Sequence, residues 1–304
     1  MNKAIIKLTA SALLSCTLLS GAATTVTAYG NSESVSYVAS AKAASPELKL
    51  PSSRSINSYR SVSVKRGSSS FTTDAFIFSD TVYVGLDSYA AGVGATVTYD
   101  QKSRTAIMTM KGLTLSATDG CFTVYANARP LFSLMGVALM SNGRLYLPID
   151  TLAKATGLKV KRTNNTVTLS GSVTPLISAD KFYREDEVLW LSRIIYAESR
   201  GESLLGQISV GNFVLKRVRS KDYPNTIYGV IFDRKYGVQF SPILDGSIYN
   251  TPNYNCQLAA KICLEGFDLS SGALFFLEPK HSTSSWIPKN RPFLFSIGAH
   301  DFYS

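Results

Sequence analysis

The spacing of apolar positions changes along the chain, and the change marks two kinds of structure. Between about residues 71 and 177, apolar residues alternate with polar ones in runs of four to six. Thr105-Ala106-Ile107-Met108 and Thr166-Val167-Thr168-Leu169 are examples. A period of two predicts half-buried strands. These runs recur within a longer unit. Residues 82–91 are followed by 94–99 and 105–108, and residues 144–153 by 157–162 and 166–169. Each unit reads as a strand, a short helix opened by an Asp N-cap and closed at a Gly, and a two-strand hairpin. Asn164-Asn165 supplies the second hairpin turn.

Beyond Asp186 the period lengthens to that of a helix. Val188, Leu191, Ile194 and Ile195 form one stripe, and Glu185, Asp186 and Glu187 suit the positive N-terminal end of its dipole. This predicts a helix over 186–198. A second follows over 203–218, with Gly211 allowing close approach of a neighbour, and a third over 255–265, stopping at Gly266. Residues 230–232 read as a short extended or helical piece. Residues 273–277 and 293–297 read as strands paired around a loop containing Trp286. The fold class expected is α+β: a small β-rich repeat domain, then a mainly helical domain with a C-terminal β-hairpin.

The N-terminus bears on compartment. Lys3 and Lys7 precede a weakly apolar stretch from Leu8 to Ala23, and Val26-Thr27-Ala28 places small residues for cleavage after Ala28. Residues 1–28 therefore read as a secretory signal whose removal leaves no stable membrane span, and the protein is expected in the wall or outside the cell. Residues 29–70 read as a basic flexible linker, 71–177 as the repeat domain, and 178–304 as the catalytic domain.

Charge refines this division. The chain carries 31 Lys and Arg against 21 Asp and Glu, a net of +10. The linker holds six basic and two acidic residues, the repeat domain nine and six, and the C-terminal region fourteen and thirteen. The excess lies ahead of the C-terminal region, so anionic wall polymers are plausible partners of the first two segments, and nucleic acid is not expected. A charge that only keeps the chain soluble fits as well. Two histidines, His281 and His300, give no metal-ligand set, and no P-loop or dinucleotide fingerprint occurs, so no metal and no cofactor are expected. Cys256 and Cys263 lie seven apart on one predicted helix, ~10 Å at the rise of an α-helix, beyond disulfide reach. They read as buried thiols.

Glu198 draws attention because it extends the stripe of Leu191 and Ile195, and desolvation there would raise its pKa toward that of a general acid. A carboxylate near a helix end also serves as a solvated or capping charge. Glu202 would stand one turn further on if the helix continued through Gly201. Asn212 lies on or beside the apolar face of the second helix. Phe240 and Trp286 read either as core residues or as platforms for sugar rings.

The strings Tyr196-Ala197-Glu198-Ser199-Arg200-Gly201-Glu202, Gly211-Asn212-Phe213-Val214-Leu215-Lys216-Arg217-Val218, Tyr223-Pro224-Asn225-Thr226-Ile227 and Gln239-Phe240-Ser241-Pro242 resemble the SleB/CwlJ family of spore cortex-lytic cell wall hydrolases. Ser271-Gly272-Ala273-Leu274-Phe275-Phe276 and Trp286 follow in the same order. The repeat resembles the copper amine oxidase N-terminal-like domain, for which a spacer or wall-associating role is expected and copper binding is not. The resemblance implies a lysozyme-like catalytic domain that cleaves peptidoglycan glycan strands between N-acetylmuramic acid and N-acetylglucosamine by lytic transglycosylation, with Glu198 as acid and then base. It leaves Glu202 as a possible second carboxylate and Asn212, Gln239, Phe240, Ser241 and Trp286 as substrate contacts. Two other readings stand beside it: an amidase cutting between muramic acid and L-alanine, and a non-enzymatic wall-binding scaffold.

Overall fold

A computed structural model describes residues 60–72, 74–78, 80–134, 136–163, 166–235, 237–269, 272–280, 282 and 286–304. The proposed signal, most of the proposed linker, Asn164, Asn165 and His281 lie outside the described residues. Those through Phe182 form one unit and those from Tyr183 another.

The first unit is built on the two repeats. Strands β1 (Arg60–Ser61), β2 (Ser63–Arg66), β3 (Ser69–Thr72) and β4 (Ala75–Phe78) lead into the first repeat, β5 (Thr81–Gly85), helix α1 (Leu86–Val93), β6 (Thr96–Asp100) and β7 (Thr105–Met110). After β8 (Leu113–Thr118), β9 (Thr123–Ala126), β10 (Arg129–Phe132) and β11 (Leu139–Ser141) comes the second repeat. It comprises β12 (Arg144–Pro148), α2 (Ile149–Thr156), β13 (Lys159–Thr163) and β14 (Thr166–Ser170), and the short helix α3 (Ala179–Phe182) ends the unit. The opening strands of the repeats pair antiparallel, Leu147 opposite Val84, inside a sheet of order β1-β4-β5-β12-β11. Each hairpin then joins a different sheet, β10-β9-β8-β7-β6 or β13-β14-β2-β3.

Burial follows the alternation. Val84, Met108, Leu115, Leu147, Leu152 and Leu169 fill one core. Tyr89 of α1 and Thr156 of α2 share a buried hydroxyl–hydroxyl hydrogen bond of 2.7 Å, which ties the repeat helices together. Both helices end at a left-handed glycine, Gly94 (φ 73°) and Gly157 (φ 74°), as the repeat predicts. Their starts differ from the expectation. The N-caps are Gly85 and Pro148, and Asp87 and Asp150 sit within the first turn, where a carboxylate acts on the helix dipole without capping.

Order begins earlier than the linker reading placed it. Val62 and Val64 are buried, and β2 pairs in parallel with β14 about a hundred residues later in the chain. Two apolar residues are too few to show a period, and the pairing that buries them is remote in sequence.

In the second unit, α4 (Glu185–Ser199), α5 (Leu204–Arg219) and α7 (Tyr254–Leu264) pack on one another, with α6 (Ile227–Ile231) beside them. Ser203 caps α5 by accepting a hydrogen bond from the Gly206 N–H (3.3 Å), and Asn253 caps α7 through Cys256 N–H (2.9 Å). Helix α5 is buried over most of its length. At Gly211 its neighbours come so near that a Cβ would lie 2.7 Å from Cys263 Sγ and 2.9 Å from Ile195 Cδ1. Cys256 and Cys263 are free and buried, in line with their reading as buried thiols.

Strands β15 (Phe275–Leu277), β16 (Phe293–Ile297) and β17 (His300–Tyr303) form a sheet of order β15-β17-β16, and α8 (Trp286–Asn290) lies within the connection. The two strands expected to pair with each other instead flank β17. The C-terminal hairpin is β16–β17, turned at Gly298. The central strand is only four residues long and opens with the polar pair His300-Asp301, so it carries no strand period of its own.

Replacing Gly211 with Val would force apart helices already in contact. We expect Gly211→Val to lower stability by about 1–3 kcal/mol. Urea denaturation of the full chain measures this, and an unchanged midpoint would mean that the three helices are not tightly packed there.

Candidate functional site

Helix α4 turns Leu191, Ile194 and Ile195 fully inward. Glu198, three residues past Ile195, therefore emerges at the margin of that stripe and is half-buried. Burial pushes its carboxyl up to about 7, with a smaller contribution in the same direction from the Asp245 carboxylate. Ser199, one residue on, takes the more buried position, its hydroxyl donating to the Ile195 carbonyl (2.8 Å).

Asp245 is exposed, and hydrogen bonds from Ser247 hold its carboxyl below the ordinary aspartate value. One of these comes from the Ser247 N–H to Oδ1 at 2.8 Å. The Arg200 charge acts in the same direction. Two interacting carboxyls with pKa values driven apart offer a proton donor beside a permanent anion. Sequence reasoning missed Asp245. It lies in a loop without periodicity, 47 residues from Glu198, and only the Asp245-Gly246-Ser247 turn chemistry marks it.

Glu202 does not continue the helix. Helix α4 ends at Ser199, the Glu202 N–H donates to the Ser199 carbonyl (2.9 Å), and Ser203 starts α5. The flexible backbone at Gly201 and the cap at Ser203 stop the turn that would have placed Glu202 above Glu198. Its carboxylate instead covers Gly298, where any Cβ would collide with Oε2, and its charge acts on His300.

The remaining predicted contacts separate sharply. Asn212 is 4% exposed, and both ends of its amide are hydrogen-bonded: Nδ2 donates to the Phe267 carbonyl and Oδ1 accepts from Leu269 N–H, both at 2.7 Å. It anchors the chain after α7 from a buried position. Phe240 is 3% exposed and packs edge-on against Phe213 within the core. Gln239 receives Arg217 Nη1 (3.3 Å) on Oε1 and donates Nε2 to the Gly237 carbonyl (3.1 Å), which ties its amide to the loop. Ser241 is exposed at the start of a 3-10 turn, and Trp286 is 52% exposed at the start of α8.

Arg217 organises this part of the unit. It is buried, donates Nε to the Leu274 carbonyl (3.1 Å), and lies 4.3 Å from the Phe213 ring centroid and 4.6 Å from that of Tyr223. The accessible aromatic surface is elsewhere. Trp190 on α4 meets Tyr228, Phe232 and Tyr249 edge-on, with centroids 5.1, 5.3 and 6.3 Å away. Tyr228 and Tyr249 are 52% and 59% exposed. Tyr249 belongs to the turn 247–249 that follows Asp245, so one loop carries both the anion and an exposed ring. Four aromatic residues scattered over 60 positions leave no local signal. Among the described residues, no group of three or more His, Cys, Asp or Glu is placed to hold a metal ion. No helix among them is long and apolar enough to cross a membrane.

A buried, ionisable Glu198 has a sign-definite effect on stability. Its native carboxyl keeps its proton above the pH at which the unfolded chain loses it. Stability is therefore fully present below about pH 4.5 and is lost as pH rises through about 7. Glu198→Gln lacks that loss. We expect the variant to be more stable than the parent by about 1–3 kcal/mol at pH 8, with the advantage vanishing near pH 4. Denaturation at the two pH values checks it.

Residues 201–303 match the family model described as Cell Wall Hydrolase, and residues 63–170 match that of the Copper amine oxidase N-terminal domain. The first match opens just after the helix that carries Glu198. The spore cortex-lytic enzyme of Bacillus cereus is 38% identical over 120 residues, covering 40% of this chain and 45% of that protein. The spore cortex-lytic enzyme of Bacillus subtilis (strain 168) is 34% identical over 120 residues, covering 40% and 38%. The chain thus spans less than half the length of these curated relatives. Among solved structures, the catalytic domain of the germination-specific lytic transglycosylase SleB from Bacillus anthracis is 38% identical, covers 40% of this chain and 97% of that one, and aligns with a TM-score of 0.37.

Proposed function

From a C-terminal cell wall hydrolase domain preceded by a copper amine oxidase N-terminal-like domain, we propose that this protein is an exported peptidoglycan lytic transglycosylase of the spore cortex-lytic kind. The observation that carries the mechanism is Glu198, whose carboxyl is held protonated to about pH 7 beside an ionised Asp245. The relatives' names supply the substrate class. In this reading residues 1–28 direct export, and 178–304 is the catalytic domain, with the repeat domain ahead of it as spacer.

Glu198 gives its proton to the glycosidic oxygen between N-acetylmuramic acid and N-acetylglucosamine as the bond from muramic C1 breaks. Positive charge develops at C1 and the ring oxygen, and the Asp245 carboxylate lowers its energy. The Glu198 carboxylate then accepts the proton of the muramic 6-hydroxyl, whose oxygen bonds to C1 and closes a 1,6-anhydro ring. Glu198 ends protonated, so the cycle needs no water and no second protein acid. That agrees with Glu202 standing at the β16–β17 turn. Tyr228, Tyr249 and Trp286 supply exposed rings for sugar faces, and Ser241 an exposed hydroxyl.

Mass spectrometry of soluble products from cortex and vegetative peptidoglycan tests the reading. Anhydro-muropeptides are expected from the full chain, falling about 10²–10⁴-fold for Glu198→Gln. Reducing muramic ends would replace transglycosylation with hydrolysis, and free stem peptides would mean an amidase. The pH profile follows from the acid: kcat/KM should fall above about pH 7, as Glu198 in the free enzyme loses the proton it must donate. A profile rising through that pH would assign Glu198 another role. Tyr249→Ala should raise KM with little change in kcat.

A further inference from the structure

The two repeats of the first unit build the same hairpin and decorate it differently. Thr96 and Thr98 of β6 correspond in the repeat to Lys159 and Lys161 of β13. Both strands lie at the edge of their sheets. In the sheet β13-β14-β2-β3, side chains that share a row also share a face. One row runs Lys161, Thr168, Lys65, Ser70, and its neighbours run Lys159–Ser170 and Thr163–Thr166–Ser63. The opposite face carries Val64, Val167 and Leu169 into the core. The outward face is therefore made of three lysines and hydroxyl side chains, and it holds no carboxylate.

Lys65, Lys159 and Lys161 are exposed, and among the described residues none of them forms an ion pair. Strand geometry puts Lys159 and Lys161 ~7 Å apart and Lys161 and Lys65 ~10 Å apart. Those separations are close to the ~8 Å Debye length at physiological ionic strength, so three like charges repel each other unless something anionic lies across them. Lysines on an edge strand also discourage sheets from pairing edge to edge. That explanation does not reach Lys65, which stands on an inner strand, and the equivalent edge strand β6 has threonine where β13 has lysine.

We propose that this face binds a linear phosphodiester polyanion of the cell wall, a polyol-phosphate chain, and holds the protein on its substrate's surroundings. Three point charges ~7 and ~10 Å apart on one face can meet successive charges of a flexible linear polyanion. The interleaved serine and threonine hydroxyls donate to the remaining phosphate oxygens. The face has no guanidinium, the group whose planar fork favours carboxylates. The setting rests on the exported reading above, but binding is measured without glycan cleavage, so failure of one does not imply failure of the other.

The test uses the full chain and soluble poly(glycerol phosphate) as probe. Lys65→Gln/Lys159→Gln/Lys161→Gln is compared with Lys102→Gln/Lys111→Gln/Lys181→Gln, which removes the same charge from exposed positions off this face. We expect the face variant to bind at least ~10-fold more weakly and to lose about two to three units of the log–log salt slope, by the counterion-release logic established for nucleic acids. The control should stay within about twofold, because its charges do not belong to the row of side chains that faces the polymer. Equal weakening in both would reduce the effect to overall charge and overturn the proposal, as would unchanged binding in both. Equal affinity for polyglutamate of matched charge would overturn the assignment to phosphodiesters. Self-association of the face variant with unaltered polymer binding would show that the lysines guard the sheet edge instead.

Discussion

The close contact at Gly211 governs the second unit. Helix α5 crosses the middle of that unit, and only a residue without a side chain lets Ile195 of α4 and Cys263 of α7 meet its backbone. That contact fixes the rotation of α4 about its axis. With Ile195 turned inward, Glu198 has to emerge at the edge of the buried stripe, neither in water nor sealed away. Half-burial combines a proton retained near neutral pH with a carboxyl that stays partly accessible, the two conditions the proposed acid role requires. A wider helix spacing would admit water around the carboxyl and return it to an ordinary glutamate.

The polar residues of α5 serve the same framework. Asn212 closes both its hydrogen bonds on the chain that leaves α7, and Arg217 joins the carbonyl of Leu274 to the amide of Gln239 between the rings of Phe213 and Tyr223. Buried polar groups of this kind are costly when unpaired and rigidifying when satisfied. Here they hold in place the loops and the strand beside the site. Asn212 and Arg217 thus support the framework of the unit, while Tyr228, Tyr249, Trp286 and Ser241 remain at its surface.

The repeat unit shows the complementary case, a shared framework with divergent surfaces. Both repeats need a buried strand, a short helix stopped by a left-handed glycine, and a hairpin whose inner face is apolar. Those requirements leave the outward positions of the hairpin unconstrained by folding. Threonine at one and lysine at the other cost the core nothing, so the difference falls on what each sheet meets in solution.

Sequence alone determined whatever depends on neighbours a few positions away. The helices at 185–199, 204–219 and 254–264, the two repeats, their closing glycines, the inability of Cys256 and Cys263 to pair, and the placement of Glu198 on an apolar stripe all follow from local periodicity. Tertiary structure decided what depends on residues distant along the chain. The parallel pairing of β2 with β14, the insertion of β17 between β15 and β16, the burial of Phe240, the turning of Glu202 toward Gly298, and the approach of Asp245 to Glu198 have no local period to announce them. Burial and electrostatic partnership are properties of a place in three dimensions. A carboxylate in a sequence carries no record of which remote loop will lie beside it.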